Sequence, residues 1–157
     1  MPESALVLGG ARFLGWRLVE RLAAEGYLTA VLNRGNYRRE YPQGVEHIRA
    51  DRNSPESLRE ALSGREFDYV IDNNGYNAEQ VNLLLDTLGD FSGQYIFTST
   101  AAVYMTLASD HPLKEEETSG IPGKGFSRKV LPYALGKFRA EEARSEERRV
   151  GKECATG

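Results

Sequence analysis

Tyr133 and Lys137 stand four residues apart in Tyr133-Ala134-Leu135-Gly136-Lys137, and on a helix that spacing puts a phenol and an ammonium on one face. A free phenol, with a pKa of about 10, is a poor base at neutral pH, but a neighbouring cation favours the phenolate. Tyr133 is therefore a candidate general acid/base for a hydroxyl or carbonyl. Upstream, Thr98-Ser99-Thr100 closes an apolar run, and Thr100 is a candidate to hydrogen-bond the reacting oxygen. A Tyr-x-x-x-Lys pair alone is common on exposed helix faces; its meaning comes from its neighbours in the pattern.

The strongest of those neighbours is Gly9-Gly10-Ala11-Arg12-Phe13-Leu14-Gly15. It lies between the apolar run 5–8 and a segment whose apolar residues recur every three to four positions, the context of a strand turning into a helix. The first N–H groups of such a helix and its dipole favour an anion. Gly9 permits the tight turn and Gly15 a close approach of helix to strand. The arrangement suits the pyrophosphate of a dinucleotide. Arg12 stands where a standard fingerprint has its middle glycine; it blocks a backbone approach to phosphate but brings charge to one. The next run, 28–32, ends in Asn33-Arg34, with no acid before Glu40. An Asp or Glu at that point would bind the ribose 2′-hydroxyl of NAD, whereas Arg34 and Arg12 can pair with a 2′-phosphate. NADP is the expected cofactor and NAD the alternative.

The elements that must position these residues follow from the same patterning. Leu14, Leu18 and Leu22, with Val19 and Ala23, give one apolar helix face, which Gly26 ends. Strands are expected at 5–8, 28–32, 46–50, 67–72 and 94–98. Ser54-Pro55 opens a helix as N-cap and first-turn proline. Asn77 and Gln80 resemble a capping box ahead of a helix with an apolar face at Val81, Leu84, Leu85 and Leu88. The Pro- and Gly-rich stretch 109–131 reads as a long loop, and a last helix begins near Pro132-Tyr133. Alternating strands and helices imply an α/β fold: a Rossmann-type, doubly wound parallel sheet.

At 157 residues the chain suffices for one domain. Its 40% hydrophobic and 27% charged residues are ordinary for a globular protein, and a net charge of -3 lacks the basic footprint of nucleic-acid binding. No apolar stretch approaches the roughly 20 residues that span a bilayer. With one cysteine and no signal-like start, a cytoplasmic protein without a membrane partner is expected, and no metal site is read. Residues 144–154 read Arg-Ser-Glu-Glu-Arg-Arg-Val-Gly-Lys-Glu-Cys, a translation of a common sequencing adapter without mismatch. The expectation is an incomplete dinucleotide-binding domain over 1–143, truncated at its C-terminus, with an artefactual tail over 144–157.

Taken together, the glycine turn, Leu32-Asn33-Arg34-Gly35, Asp51-Arg52, Val70-Ile71-Asp72, the run 97–104 and the Tyr133/Lys137 pair resemble an extended short-chain dehydrogenase/reductase of the NAD-dependent epimerase/dehydratase type. The variants at the glycine turn and at Asn33-Arg34-Gly35 are similar to an atypical branch that includes chloroplast RNA-binding relatives. The resemblance implies catalytic roles for Thr100, Tyr133 and Lys137. It implies cofactor contacts from Gly9, Gly10, Ala11, Arg12, Phe13, Leu14, Gly15, Asn33, Arg34, Asp51, Arg52, Asn73, Asn74, Gly75, Thr98, Tyr133 and Lys137, with Asp51 at the adenine. The implied activity is hydride transfer at a sugar carbon of a nucleotide-sugar-like substrate, in a homodimeric full-length form about twice this length, with the fragment inactive alone. The competing reading is a non-catalytic dinucleotide sensor or RNA-binding protein of the same fold. The intact Thr100/Tyr133/Lys137 set favours the enzyme.

Overall fold

The structure, a computed structural model, describes residues 1–37, 40–106, 111–114 and 130–153, with only the backbone for 105–106 and 145–153. Among the described residues there are five strands: β1 (Ser4–Leu8), β2 (Leu28–Asn33), β3 (Glu46–Arg49), β4 (Tyr69–Asp72) and β5 (Gln94–Phe97). The helices are α1 (Phe13–Ala24), α2 (Pro55–Leu62), α3 (Ala78–Leu88) and α4 (Leu131–Glu153), with a 3-10 turn at Ala101–Thr106. The described residues form two compact units. The first comprises Met1–Asn74 and Leu83–Thr98, and the second comprises residues 75–82 and the chain from Ser99 onward.

The first unit holds the whole sheet, in the order β3-β2-β1-β4-β5 and parallel throughout. The expected parallel sheet is thus present. The inner strands β1, β2 and β4 lack polar alternation because both faces are covered, whereas the edge strands β3 and β5 are largely exposed. Leu6 and Leu8 of β1, level with Ala30, Leu32 and Val70, pack with Leu58 and Leu62 of α2 and Leu84 of α3. Val7, level with Val31 and Ile71, points the other way, toward Val19 of α1. The chain winds outward from β1 to β3, then crosses back to β4. That reversal between β1 and β4 is where ligands of open α/β sheets bind, beyond the carboxyl ends of the strands. Gly9 follows β1 and Asn73 follows β4, so both stand at this point.

The caps follow the local sequence, with one correction. Ser54 caps α2, its hydroxyl accepting from the Ser57 N–H at 3.2 Å, with Pro55 in the first turn. Asn77 Oδ1 accepts from the Gln80 N–H at 2.9 Å, but the Gln80 side chain accepts from the Tyr76 N–H at 2.8 Å, one residue earlier than a capping box requires. The expected third strand ends at Arg49 rather than Ala50, and the fourth begins at Tyr69 rather than Phe67. The 3-10 turn at Ala101–Thr106 has no counterpart in the sequence reading, whose patterns detect only longer elements. α4 runs unbroken past residue 143 to Glu153. Most of the expected loop 109–131, and Cys154, lie outside the described residues. No described helix is long and apolar enough to cross a membrane.

Candidate functional site

In the first unit the turn after β1 is closed by atoms that leave no room for side chains. Gly9 has φ +81°, and a Cβ there would lie 3.2 Å from Cβ of Asn74 and 3.4 Å from that of Asn73. A Cβ on Gly10 would lie 2.8 Å from Cγ1 of Val31. A Cβ on Gly15 would collide with the carbonyl oxygen of Gly9, so α1 touches the turn backbone to backbone. Ala11 is buried beside them. No side-chain hydrogen bond caps α1 at Arg12. Phe13 holds φ +45°, an uncommon conformation for a residue with a side chain, and it and Leu14 are exposed.

Arg12 does not point back into the turn. Its Nη1 donates to the Tyr37 hydroxyl at 2.7 Å, and its guanidinium carbon lies 5.0 Å and 5.3 Å from the Phe13 and Tyr37 ring centres. The glycine turn and the loop after β2 are thereby joined. Within that loop Asn33 accepts from the Gly35 N–H at 2.8 Å and donates to the Tyr41 hydroxyl at 2.8 Å. Its Oδ1 also lies 3.0 Å from His47 Nε2. Burial, then the Arg49 charge, holds the His47 pKa below its ordinary 6.5. Arg34 is exposed. Arg49, which the sequence reading passed over, lies across Gly35, where a Cβ would come within 2.5 Å of its Nε. Its place at the end of β3, in register with Asn33, was the available signal.

Across the turn, the end of β4 carries a buried polar cluster. Asp72 is 0% exposed and Arg52 8%. Arg52 Nη1 and Nη2 donate to Asp72 Oδ1 and Oδ2 at 2.7 and 2.9 Å, and Nη1 also to Asn74 Oδ1 at 2.6 Å. The Tyr95 hydroxyl and the Asn74 N–H complete the carboxylate's contacts at 3.0 and 3.1 Å. Thr98 Oγ1 donates to Asn73 Oδ1 at 2.6 Å. Asn73 Nδ2 is buried with no hydrogen-bond partner among the described residues. Asp51 accepts from the Asn53 N–H at 3.0 Å in the turn leading to α2. A bare-backbone turn and an orphaned donor together fit a polar ligand lying against the turn. Asp72 and Tyr95 were given no site role from the sequence, although a charged residue ending a fully buried strand requires a partner.

In the second unit, Tyr133 and Lys137 sit on α4 as their spacing requires. Lys137 is 2% exposed, with its Nζ 5.7 Å from the Tyr76 ring centre; Tyr133 is 41% exposed, with its ring 6.3 Å from that of Tyr76 at 53°. Tyr76 thus joins the pair, an aromatic face against an ammonium, and sequence reasoning missed it. The device that seats it is Gly136: a Cβ there would lie 2.5 Å from the Tyr76 carbonyl oxygen. Gly75, next to it, is buried. Thr100 caps the 3-10 turn, its Oγ1 accepting from the Ala102 N–H at 3.3 Å and its carbonyl from Val103 N–H at 3.2 Å. Ser99 Oγ donates to Glu141 of α4.

Comparison with known proteins agrees with this architecture. The model of the "NAD dependent epimerase/dehydratase family" matches residues 5–152. The chloroplast stem-loop binding protein of 41 kDa b from Arabidopsis thaliana is 31% identical over 116 residues, which is 66% of this chain and 30% of that protein. Among solved structures, an epimerase from Methanothermobacter thermautotrophicus superimposes with a TM-score of 0.77 at 20% identity, covering 96% of this chain and 49% of that one. The UDP-glucose 4-epimerase of Thermus thermophilus, solved in complex with NAD, gives 0.70 at 26% identity, covering 90% and 50%. The chain therefore spans about half the length of these structures and less than a third of the plant relative.

Proposed function

The chain belongs to the NAD dependent epimerase/dehydratase family, and we propose that it is the NADP-binding part of an enzyme that epimerises, dehydrates or reduces a nucleotide-sugar-like substrate. The observation that carries this is the closure of the glycine turn at the β1/β4 crossing, where Gly9, Gly10 and Gly15 leave backbone in place of side chains. The turn and the α1 N-terminus would hold the pyrophosphate. Asp51 would hold the adenine side, and Asn73, Asn74 and Thr98 the wall opposite Gly9, with Gly75 a further cofactor contact. Arg12 on Tyr37, Arg49 across Gly35 and the exposed Arg34 in the loop after β2 support NADP over NAD, as does the absence of a carboxylate at the start of that loop.

When bound, the nicotinamide supplies reversible hydride exchange at a sugar carbon. The chain's own part is proton handling. Tyr133 passes a proton to or from the reacting oxygen, Lys137 holds positive charge beside it, and Thr100 hydrogen-bonds that oxygen. A cytoplasmic setting and a homodimeric full-length form belong to the same proposal. The test is direct because Trp16, at the start of α1, is the single tryptophan. Titration of the 157-residue chain should change Trp16 fluorescence with NADPH at lower concentrations than with NADH. A reversed preference would replace NADP by NAD. The same chain should show no turnover. The full-length gene product should turn over a member of a nucleotide-sugar panel and lose at least about 100-fold in kcat on Tyr133→Phe.

A second reading rests on the plant relative, whose name records stem-loop binding. Retention of a stem-loop RNA probe, undiminished by Tyr133→Phe and by saturating NADPH, would favour it over catalysis.

A further inference from the structure

The Arg52–Asp72–Tyr95 cluster stands at the carboxyl end of β4, with Asp72 fully buried, Arg52 nearly so and Tyr95 half-buried. A buried carboxylate carries a desolvation cost of several kcal/mol, and replacing a buried ion pair with apolar residues of similar volume is often neutral or stabilising. Stability alone therefore gives no reason for a charge in the otherwise apolar β4. The contacts supply one. Asp72 takes four hydrogen bonds, two from Arg52, one from Tyr95 of β5 and one from the Asn74 N–H. Arg52 also donates to the Asn74 side chain. Asn74 is thus fixed at both its backbone and its amide oxygen, with its Cβ 3.2 Å from where Gly9 would carry one.

We infer that the buried Arg52–Asp72–Tyr95 network is a positioning device that sets the Asn73–Asn74 wall against Gly9 and so shapes the dinucleotide cradle. It rests on the proposed cofactor reading. In it Asp72 and Tyr95 act through Asn74, and Arg52 serves the wall rather than meeting the nucleotide. The device draws its directionality from geometry. A bidentate guanidinium–carboxylate pair has one arrangement, whereas an apolar pair would leave the Asn74 amide free to rotate.

The test separates positioning from stability in the intact 157-residue chain. The double substitution Arg52→Met with Asp72→Leu should keep the thermal midpoint within a few degrees of wild type, yet weaken NADPH binding, read by Trp16 fluorescence, by about tenfold, or about 1.4 kcal/mol. Unchanged affinity in a folded variant overturns the inference. If that variant does not fold, Tyr95→Phe and Asn74→Ala with their double mutant decide. Affinity losses that are not additive support action through Asn74, and additive losses overturn it. A wild-type chain that binds neither NADPH nor NADH overturns the cofactor reading and this inference with it. Binding by wild type with no effect of any variant overturns this inference alone.

Discussion

Gly15 and Gly136 occupy the same situation in the two units. Each is a helical glycine whose missing Cβ would meet the carbonyl oxygen of a turn, Gly9 for α1 and Tyr76 for α4. In each case the helix docks on a loop that carries candidate site residues. The surroundings differ. Gly15 faces three backbone atoms of Gly9 and Gly10, in a turn walled by the half-buried, hydrogen-bonded Asn73 and Asn74. Gly136 faces one backbone oxygen, beside two half-exposed tyrosine rings and a buried lysine. The proposed cradle has a backbone floor, with side chains serving only as its wall. The proposed acid/base region relies on side chains instead, with close helix packing bringing an aromatic face to Lys137.

Substitutions at the two glycines can break that comparison. Gly15→Ala should have the larger effect. The clash is with main chain on both sides, so something must move, at about 1–3 kcal/mol of stability, and nucleotide binding should be lost. Calorimetry and the Trp16 titration read the two effects separately; normal NADPH affinity in Gly15→Ala would remove the backbone account of the cradle. Gly136→Ala should cost less, about 1 kcal/mol, because one oxygen can yield and alanine returns helix propensity of similar size. Its effect should fall on kcat of the proposed full-length enzyme more than on nucleotide affinity. Equal losses in both would mean that the two regions are not separable.

The smallest effect concerns the loop after β2. The His47 pKa lies below 6.5 in the folded chain, first through burial and then through Arg49. The unfolded chain therefore binds this proton at a higher pH than the folded one. Stability contributed at His47 is present above 6.5 and falls as the pH drops through 6.5 toward the folded value. Denaturation midpoints at pH 7.5 and 5.5 should show the decline, and His47→Gln should remove its share. A decline unchanged in His47→Gln would assign it to other groups.

The sequence by itself determined the strand–helix alternation, the parallel sheet, the glycine turn and the spacing of Tyr133 and Lys137. These are local: an apolar run, a helical period or a glycine before a helix start is written within about ten residues, and both faces of a central parallel strand are buried whatever lies far away. Only the tertiary structure decided which groups meet. Arg52 is 20 residues from Asp72, Tyr95 is 23 residues from it, and Gly136 lies 60 positions from the carbonyl of Tyr76. Arg12 reaches Tyr37 across 25 residues, away from the turn that contains it. A guanidinium can serve a phosphate, a phenol or a buried carboxylate equally well by composition. The choice is made by the desolvation of Asp72 inside the sheet and by the positions that chain crossings give its donors, and no short-range pattern encodes either.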